Sequence, residues 1–253
     1  MTPSTLEVLL TPADFGAMAT QDLTDATCVV FDILRATSTI VTALDAGAAA
    51  VIAVPDIPSA LAWRRRQPDV LLGGERHGVR IGADLADGVA FDLGNSPREH
   101  TRERVAGRTI VTTTTNGTRA LSACAGAPTV LAAAFLDLGA TADWLLDHDP
   151  ARLLLVCSGT YEEAAYEDVL AAGALADRLW DRHAGGASDA ARLARTAWLA
   201  ARDDLPGAMC QSRNARRLLG TPALAGDVAA CLRIDTSRTV VWRQGERLVR
   251  HPG

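Results

Sequence analysis

The chain has 253 residues, and its 48% hydrophobic and 22% charged residues are typical of a globular protein and exclude wholesale disorder. Its formal net charge of −5 argues against a nucleic-acid partner. All 25 of its Lys and Arg residues are arginines, which excludes Schiff-base chemistry and a P-loop lysine. The length predicts a single domain over residues 1–253, or two closely packed lobes at about 1–130 and 131–253.

The five cysteines are scattered with no Cys-x-x-Cys pair, which is typical of a reduced, cytoplasmic protein. The first residues lack the basic and apolar regions of a signal peptide, and no uncharged apolar run reaches about 18 residues. We therefore expect a cytoplasmic protein with no membrane partner. The five histidines are also dispersed, which argues against a zinc site.

Short apolar runs alternate with helical patterns along the chain. Strands are predicted at residues 6–10, 27–31, 50–54, 70–72, 109–113, 129–133, 153–157 and 239–243. Helices are predicted at residues 38–46, 59–66, 118–124, 137–147 and 166–183. From residue 188 to about 231 the pattern is only helical, with one helix over 188–202 and another after Pro206. The alternation is typical of an α/β fold with a largely parallel sheet, here with a helical C-terminal segment.

Polar clusters follow four of the predicted strands. Asp32, Glu75, Thr114 and Ser158 each come within about three residues of a predicted strand end. Ligands of open α/β sheets bind at the carboxyl ends of the strands. We therefore expect these four clusters to form one binding site.

A threonine-rich run at residues 112–118 is the most informative of these clusters. A strand that ends in hydroxyls, turns on Asn-Gly and opens a helix offers an oxyanion both hydroxyl donors and free backbone N–H groups. Thr114, Thr115, Asn116 and Gly117 are therefore candidate substrate-binding residues. The alternative is a strand end followed by an ordinary capped helix.

The segment at residues 32–39 joins a carboxylate, a guanidinium and three hydroxyls across a strand-to-helix turn. Asp32 can hold Mg²⁺ or attack phosphorus, and Arg35 can make paired contacts to a phosphate. The alternative is a helix cap with a structural ion pair. In residues 73–78, the glycines that flank Glu75 and Arg76 let the backbone bend sharply and approach a ligand, or else the segment is an ordinary turn.

The remaining candidates are weaker. Turn residues that can donate to substrate oxygens are Asn95, Ser96, Ser158 and Gly159. The acidic pair Glu167 and Asp168 is a candidate source of a metal ligand. The alternative is that these acids only complement the dipole of the helix that they begin.

Taken in order, these segments resemble the 2-phosphosulfolactate phosphatase (ComB) family. The resemblance runs from about residue 27 to 240, and its specificity comes from the joint order and spacing of the motifs. They are Asp-Ile-Leu-Arg-Ala-Thr-Ser-Thr (32–39), Gly-Glu-Arg-His-Gly (74–78), Gly-Asn-Ser-Pro (94–97), Thr-Thr-Thr-Asn-Gly-Thr (113–118), Cys-Ser-Gly (157–159), Glu-Asp (167–168) and Ser-Arg-Asn-Ala-Arg-Arg-Leu (212–218).

The resemblance implies a three-layer α/β/α architecture with a mixed, largely parallel sheet. It also implies a Mg²⁺-dependent phosphatase that converts 2-phospho-3-sulfolactate to sulfolactate and phosphate, a step of coenzyme M biosynthesis. We expect Asp32, Arg35 and Glu75 to be catalytic and Arg76 to neutralise phosphate or sulfonate. The candidate Mg²⁺ ligands are Asp32, Glu75, Glu167 and Asp168.

Two other classes of function stay open at this point. One is a non-catalytic sensor or carrier of an anionic phospho-metabolite, and the other is an interaction protein whose polar turns are only caps. The sequence leaves open whether Asp32 attacks phosphorus or the metal activates a water. Asp227 and Asp235 are further acids that can approach the site, and a homodimer is the general expectation for a soluble enzyme of this size.

Overall fold

One ten-stranded sheet forms the centre of the structure, a computed structural model that describes residues 4–18 and 20–252. In chain order its strands are β1 (Thr5–Leu9), β2 (Ala26–Phe31), β3 (Ala50–Ala53), β4 (Leu71–Arg76), β5 (Val79–Arg80), β6 (Thr109–Thr113), β7 (Thr129–Ala133), β8 (Arg152–Cys157), β9 (Val241–Gln244) and β10 (Arg247–Arg250).

Helices cover both faces of this sheet, which confirms the three-layer α/β/α architecture. They are α1 (Asp14–Met18), α2 (Ala36–Asp45), α3 (Ile57–Arg66), α4 (Arg102–Val105), α5 (Gly117–Ala123), α6 (Leu138–His148), α7 (Tyr166–Arg178), α8 (Trp180–His183), α9 (Asp189–Ala201), α10 (Leu205–Met209), α11 (Arg213–Leu219) and α12 (Ala225–Cys231). The helical C-terminal segment predicted from residue 188 is α9 to α12. Among the described residues, every helix is too short or too polar to span a lipid bilayer.

The core is centred on β2 and β8. All six residues of β2 and five of the six in β8 are buried, and both strands are nearly continuous apolar runs. Such runs are typical of strands that are covered on both faces, because side chains on either face of the sheet are shielded from solvent. The polar residues that follow these strands are thereby fixed at the end of a rigid core.

The sheet contains two parallel blocks of opposite direction. Its spatial order is β1-β8-β2-β7-β9-β10-β3-β6-β4-β5. β1, β8, β2 and β7 are mutually parallel, as are β3, β6 and β4. Between the blocks, β7–β9, β9–β10 and β10–β3 are three successive antiparallel pairings. An odd number of antiparallel pairings reverses the direction, so the second block runs opposite to the first.

The carboxyl ends of the two blocks nevertheless meet in space. Asp32 follows β2 in the first block and Gly117 follows β6 in the second. A Cβ atom added to Gly117 would lie 2.7 Å from Asp32 Oδ2. Between the blocks the sheet is held by few pairings, since β7–β9 and β10–β3 are each joined by only two residue pairs.

The observed elements differ from the predicted ones in a few places. The strand predicted at 70–72 continues through Arg76, because Glu75 and Arg76 pair with β5. Gly73 and Gly74 therefore lie in a strand, whereas His77 and Gly78 form the turn between β4 and β5, so the turn interpretation is correct for the end of this segment. The helix predicted over 166–183 ends at Arg178 and restarts at Trp180. The strand predicted at 239–243 is the first half of the β9–β10 hairpin, whose second strand was not predicted.

Candidate active site

A cleft of about 590 Å³ lies where the carboxyl ends of the two blocks meet. The candidate residues from the sequence that line it are Asp32, Arg35, Glu75, Arg76, Asn95, Thr114, Thr115, Asn116, Gly159, Glu167 and Asp168. The remaining three candidates, Ser96, Gly117 and Ser158, are buried beside it. Chain segments far apart in the sequence thus contribute to one cavity.

Asp32 lies in the turn between β2 and α2. Its Oδ1 accepts a hydrogen bond of 3.1 Å from the backbone N–H of Ala36, and its Oδ2 accepts none from the described residues. Burial raises the pKa of Asp32 to about 6, and the nearby charges of Glu167 and Glu75 act in the same direction. The carboxylate therefore has one fixed oxygen and one open to the cleft.

Glu75 occupies the end of β4 with both carboxylate oxygens bonded. Oε2 accepts the Gly78 N–H at 2.7 Å, and Oε1 accepts the backbone N–H and the hydroxyl of Thr115 at 3.0 and 2.9 Å. Burial raises the pKa of Glu75, but these hydrogen bonds outweigh it, so the pKa lies below its usual value. Glu75 is therefore held as a carboxylate, and Thr115 is engaged in holding it.

Glu167 and Asp168 begin α7, and both are almost fully buried. Asp168 accepts the backbone N–H groups of Ile33 at 2.8 Å and Gly159 at 3.1 Å, and so joins the turns after β2 and β8. Burial and the charges of Asp32 and Glu167 raise the pKa of Asp168 well above its usual value. Asp32 and Asp168 therefore lie near enough for their charges to repel each other.

The arginines of the cleft differ in their partners. Arg35 is buried and donates to Asp227 Oδ2 and to the Gly78 carbonyl, each at 2.6 Å. Arg76 donates to the Glu75 carbonyl and to Thr113, which are neutral acceptors. Arg35 thus forms a structural ion pair, which was the alternative interpretation of residues 32–39. It also lines the cleft.

Charges within the cleft are not paired with one another. Its lining carries four carboxylates, of Asp32, Glu75, Glu167 and Asp168, and four guanidiniums, of Arg35, Arg76, Arg213 and Arg217. Among the described residues, every ion pair made by these eight groups goes to a residue outside the lining, namely Arg35–Asp227 and Arg213–Glu163. The four acids are instead held by neutral donors, so their charges are not compensated by a guanidinium of the cleft.

Three buried polar atoms beside the cleft have no hydrogen-bond partner among the described residues. They are Thr114 Oγ1, Asn116 Oδ1 and Ser158 Oγ. Asn116 is the N-cap residue of α5, yet its side chain makes no capping bond. The alternative of an ordinary capped helix therefore does not account for this turn. Buried polar atoms without partners are costly and are typical of a site that a ligand completes.

The sequence profile of the 2-phosphosulpholactate phosphatase family matches residues 15–246. The chain belongs to this family. Its relatives include proteins named "Probable 2-phosphosulfolactate phosphatase" from three bacteria. The protein from Thermotoga petrophila is 39% identical over 85% of this chain and 87% of its own. That from Pseudothermotoga lettingae is 40% identical over 82% and 85%, and that from Deinococcus radiodurans is 38% identical over 84% and 85%.

The carboxylates of this family member fit a Mg²⁺ ion only in part. Among the described residues, no three Asp, Glu, His or Cys side chains form a ready-made metal cage. Mg²⁺ keeps several of its waters, however, and is commonly held by one or two carboxylates together with substrate oxygens. Asp32 and Asp168 supply such a pair, because their charges repel and Asp32 has an open oxygen. Glu75, Glu167 and Asp168 each have both oxygens bonded to protein donors, so Asp32 alone of the four presents an unbonded oxygen among the described residues.

Several residues of the cleft were not among the candidates. The 2-phosphosulfolactate phosphatase motifs at 74–78 and 212–218 contain His77, Gly78, Arg213, Asn214 and Arg217, all of which line it. Asp227 pairs with Arg35, and no sequence motif or spacing indicated this role. Asp235 lies elsewhere and pairs with Arg178 at 2.6 Å.

Ser96 and Gly117 have positions that explain their residue types. The Ser96 hydroxyl donates to Asp227 at 2.6 Å and so supports the acid that holds Arg35, outside the cleft. Gly117 allows α5 to approach Asp32, because a side chain there would collide with its carboxylate. Ser96 therefore affects the cleft indirectly through Asp227, and Gly117 does so through Asp32.

Proposed function

We propose that the protein hydrolyses 2-phospho-3-sulfolactate to 3-sulfolactate and phosphate in a Mg²⁺-dependent reaction. Membership of the 2-phosphosulfolactate phosphatase family supports a phosphoric monoester hydrolase. The observation that carries the proposal is the cleft with four carboxylates and four guanidiniums that form no ion pairs with one another. Such a cleft suits a substrate with several negative charges that brings or meets a cation.

Asp32 and Asp168 are the residues that would hold Mg²⁺, with Asp32 Oδ2 as the open oxygen. The ion would supply a positive charge that polarises the phosphoryl group. Arg35 and Arg76 would neutralise the negative charge of the ester. Thr114 would donate its buried, unpartnered hydroxyl to the phosphoryl group, and Asn116, which lines the cleft, would donate through its amide Nδ2.

Asp32 has two possible roles in the step at phosphorus. As a nucleophile, its oxygen would form a bond to phosphorus while the bond from phosphorus to the ester oxygen breaks. As a base, it would take the proton of a water that makes the same attack. A pKa of about 6 leaves it ionised near neutral pH and suits either role. Rapid acid quench separates them, because only the first leaves an aspartyl phosphate.

The test is phosphate release from 2-phospho-3-sulfolactate by purified protein, with Mg²⁺ and with EDTA. We expect release with Mg²⁺, loss of release with EDTA, and loss of release in Asp32→Asn. A panel of other small phosphate esters, run in parallel, tests the substrate. Tight binding of phosphosulfolactate that stays intact after long incubation would contradict hydrolysis and favour a sensor of anionic metabolites.

A further inference from the structure

Arg217 is a guanidinium of the cleft to which the proposed chemistry at phosphorus assigns nothing. We propose that Arg217 binds the acidic group of the substrate that does not react, and so makes the cleft selective for phosphate esters that carry a second acid. This inference rests on the proposed function. The proposal assigns to Arg217 of α11 the recognition of the part of the ester that does not react.

Arg217 lies over the turn that orients two of the proposed catalytic groups. Its Nη1 is 3.3 Å from the position that a Cβ of Gly78 would occupy. Gly78 also accepts the hydrogen bond from Arg35 Nη2 and donates its N–H to Glu75. Arg217 is thus on the cleft wall beside Arg35 and Glu75, without bonding to either.

The guanidinium of Arg217 is open to a ligand. It makes no hydrogen bond or ion pair with the described residues, whereas Arg35 and Arg213 are each paired with a carboxylate and Arg76 is bonded to Thr113. A guanidinium presents planar, paired donors that match a carboxylate or a sulfonate. An unpaired guanidinium that lines a cleft is therefore a site for an acid group of the ligand.

Arg217 and the turn that we assign to the phosphoryl group come from different elements of the fold. Thr114 and Asn116, which we assign to the phosphoryl group, lie on the turn between β6 and α5. Arg217 comes from α11, a different wall of the same 590 Å³ cleft. A phosphate ester of a carboxylic or sulfonic acid has a second acid that can bind Arg217 while its phosphoryl group binds the turn between β6 and α5.

The chain offers a matched control in Arg216. Arg216 and Arg217 are neighbours in the last turn of α11 and both are exposed, but only Arg217 lines the cleft. Substitution of either by alanine removes the same charge from the same helix. A difference between the two variants therefore reports on the cleft and not on net charge or helix stability.

The experiment compares the wild-type protein, Arg217→Ala and Arg216→Ala by calorimetric titration with three probes in the presence of Mg²⁺. The probes are 3-sulfolactate, lactate, which lacks the sulfonate, and inorganic phosphate. We expect Arg217→Ala to weaken binding of 3-sulfolactate about tenfold, as for loss of a hydrogen bond to a charged group, and to leave phosphate binding unchanged. We expect Arg216→Ala to bind all three probes as the wild type does.

The lactate titration identifies the acid that is bound. If Arg217→Ala also weakens lactate, the group is the carboxylate, and if lactate is unaffected, the group is the sulfonate; both outcomes support the proposal. Unchanged binding of 3-sulfolactate, or an equal loss of phosphate binding, would overturn it. Failure of the proposed function has a different signature, namely no hydrolysis by the wild type, and the binding comparison does not depend on turnover.

Kinetics give an independent readout. Contact with a part of the substrate that does not react should raise KM about tenfold and change kcat by less than about threefold. A large fall in kcat at unchanged KM in Arg217→Ala would overturn the assignment, because it would place Arg217 at the reacting phosphoryl group. Arg217→Lys should restore part of the lost affinity, since the charge is kept and the paired donors are lost.

Discussion

Arg35 and Asp227 form a buried ion pair, with 2.6 Å between Nη1 and Oδ2, across 192 positions of the chain. Asp227 also accepts hydrogen bonds from Ser96 at 2.6 Å and Arg98 Nε at 2.7 Å. The pair connects the turn after β2 to α12, and α12 packs beside α11, which carries Arg213 and Arg217. One acid therefore links the core of the cleft to its C-terminal wall.

Asp227→Asn should destabilise the protein and lower its activity. Loss of one partner leaves the buried Arg35 charge uncompensated, so we expect a loss of about 3–5 kcal/mol in the free energy of unfolding. Urea denaturation and kcat/KM for phosphosulfolactate measure the two effects. The control is Asp235→Asn, which breaks a partly exposed pair with Arg178 and should cost less than about 1 kcal/mol. Equal midpoints for the two variants would contradict the role of Asp227.

Asp32→Asn should raise stability near neutral pH while it abolishes activity. The pKa of Asp32 is raised to about 6, above the usual value of 3.8 for the unfolded chain. The folded state therefore binds more protons between these two values, and ionisation of Asp32 lowers stability as pH rises through that window. In EDTA, we expect Asp32→Asn to gain about 3 kcal/mol near pH 8 and almost nothing near pH 4.

The pH dependence of wild-type activity also tests the titration of Asp32. If ionised Asp32 is required, kcat/KM should rise with pH and level off above about pH 6 in the limit of low Mg²⁺, where the ion does not itself lower the pKa. Added Mg²⁺ should stabilise the wild type against heat and leave Asp32→Asn unaffected. Equal stabilisation of both proteins would show that Asp32 is not a ligand.

Gly117→Ala should lower activity and also cost some stability. The added Cβ would lie 2.7 Å from Asp32 Oδ2 and 2.8 Å from Ala36 Cβ, so the turn must move the open carboxylate oxygen. A displacement of about 1 Å at a reacting group costs roughly 10²-fold in rate. The loss in free energy of unfolding should stay within about 1–3 kcal/mol. Gly126→Ala is the control, since its nearest neighbours, in Leu23, are at 3.8 Å.

Thr114→Val tests whether the Thr114 hydroxyl serves a ligand or the fold. The hydroxyl is buried with no partner among the described residues, so its removal should leave the free energy of unfolding unchanged or raise it by up to about 1 kcal/mol. As a donor to the phosphoryl group, its loss should lower kcat about 10²-fold. Thr115→Val is the comparison, because it removes a hydrogen bond to Glu75. A fall in stability with full activity in Thr114→Val would assign the hydroxyl to the fold.

The strand ends and the polar residues that follow them were predictable from local sequence. The apolar runs that become β2 and β8 are nearly continuous, β6 contains the apolar pair Ile110 and Val111, and Asp32, Thr114 and Ser158 directly follow the three strands. The extension of β4 was missed because pairing with β5 holds Glu75 and Arg76 extended, and no local pattern signals that pairing.

The reversal of direction between the two parallel blocks could not be predicted from local patterns. It depends on which strands the C-terminal hairpin joins, and that is decided by pairings far apart in the sequence. The partnership of Arg35 with Asp227 has the same character. Periodicity and spacing describe neighbours along the chain, whereas these contacts form only when distant segments are packed together.

The place of β9 and β10 in the sheet has a consequence for how the protein is made. These strands, at residues 241–250, are synthesised after all the others, yet they occupy the middle of the ladder. Until the hairpin has been synthesised, the edge of β7 that pairs with β9 and the edge of β3 that pairs with β10 have no partner strand. Exposed edges of this kind invite pairing with other chains.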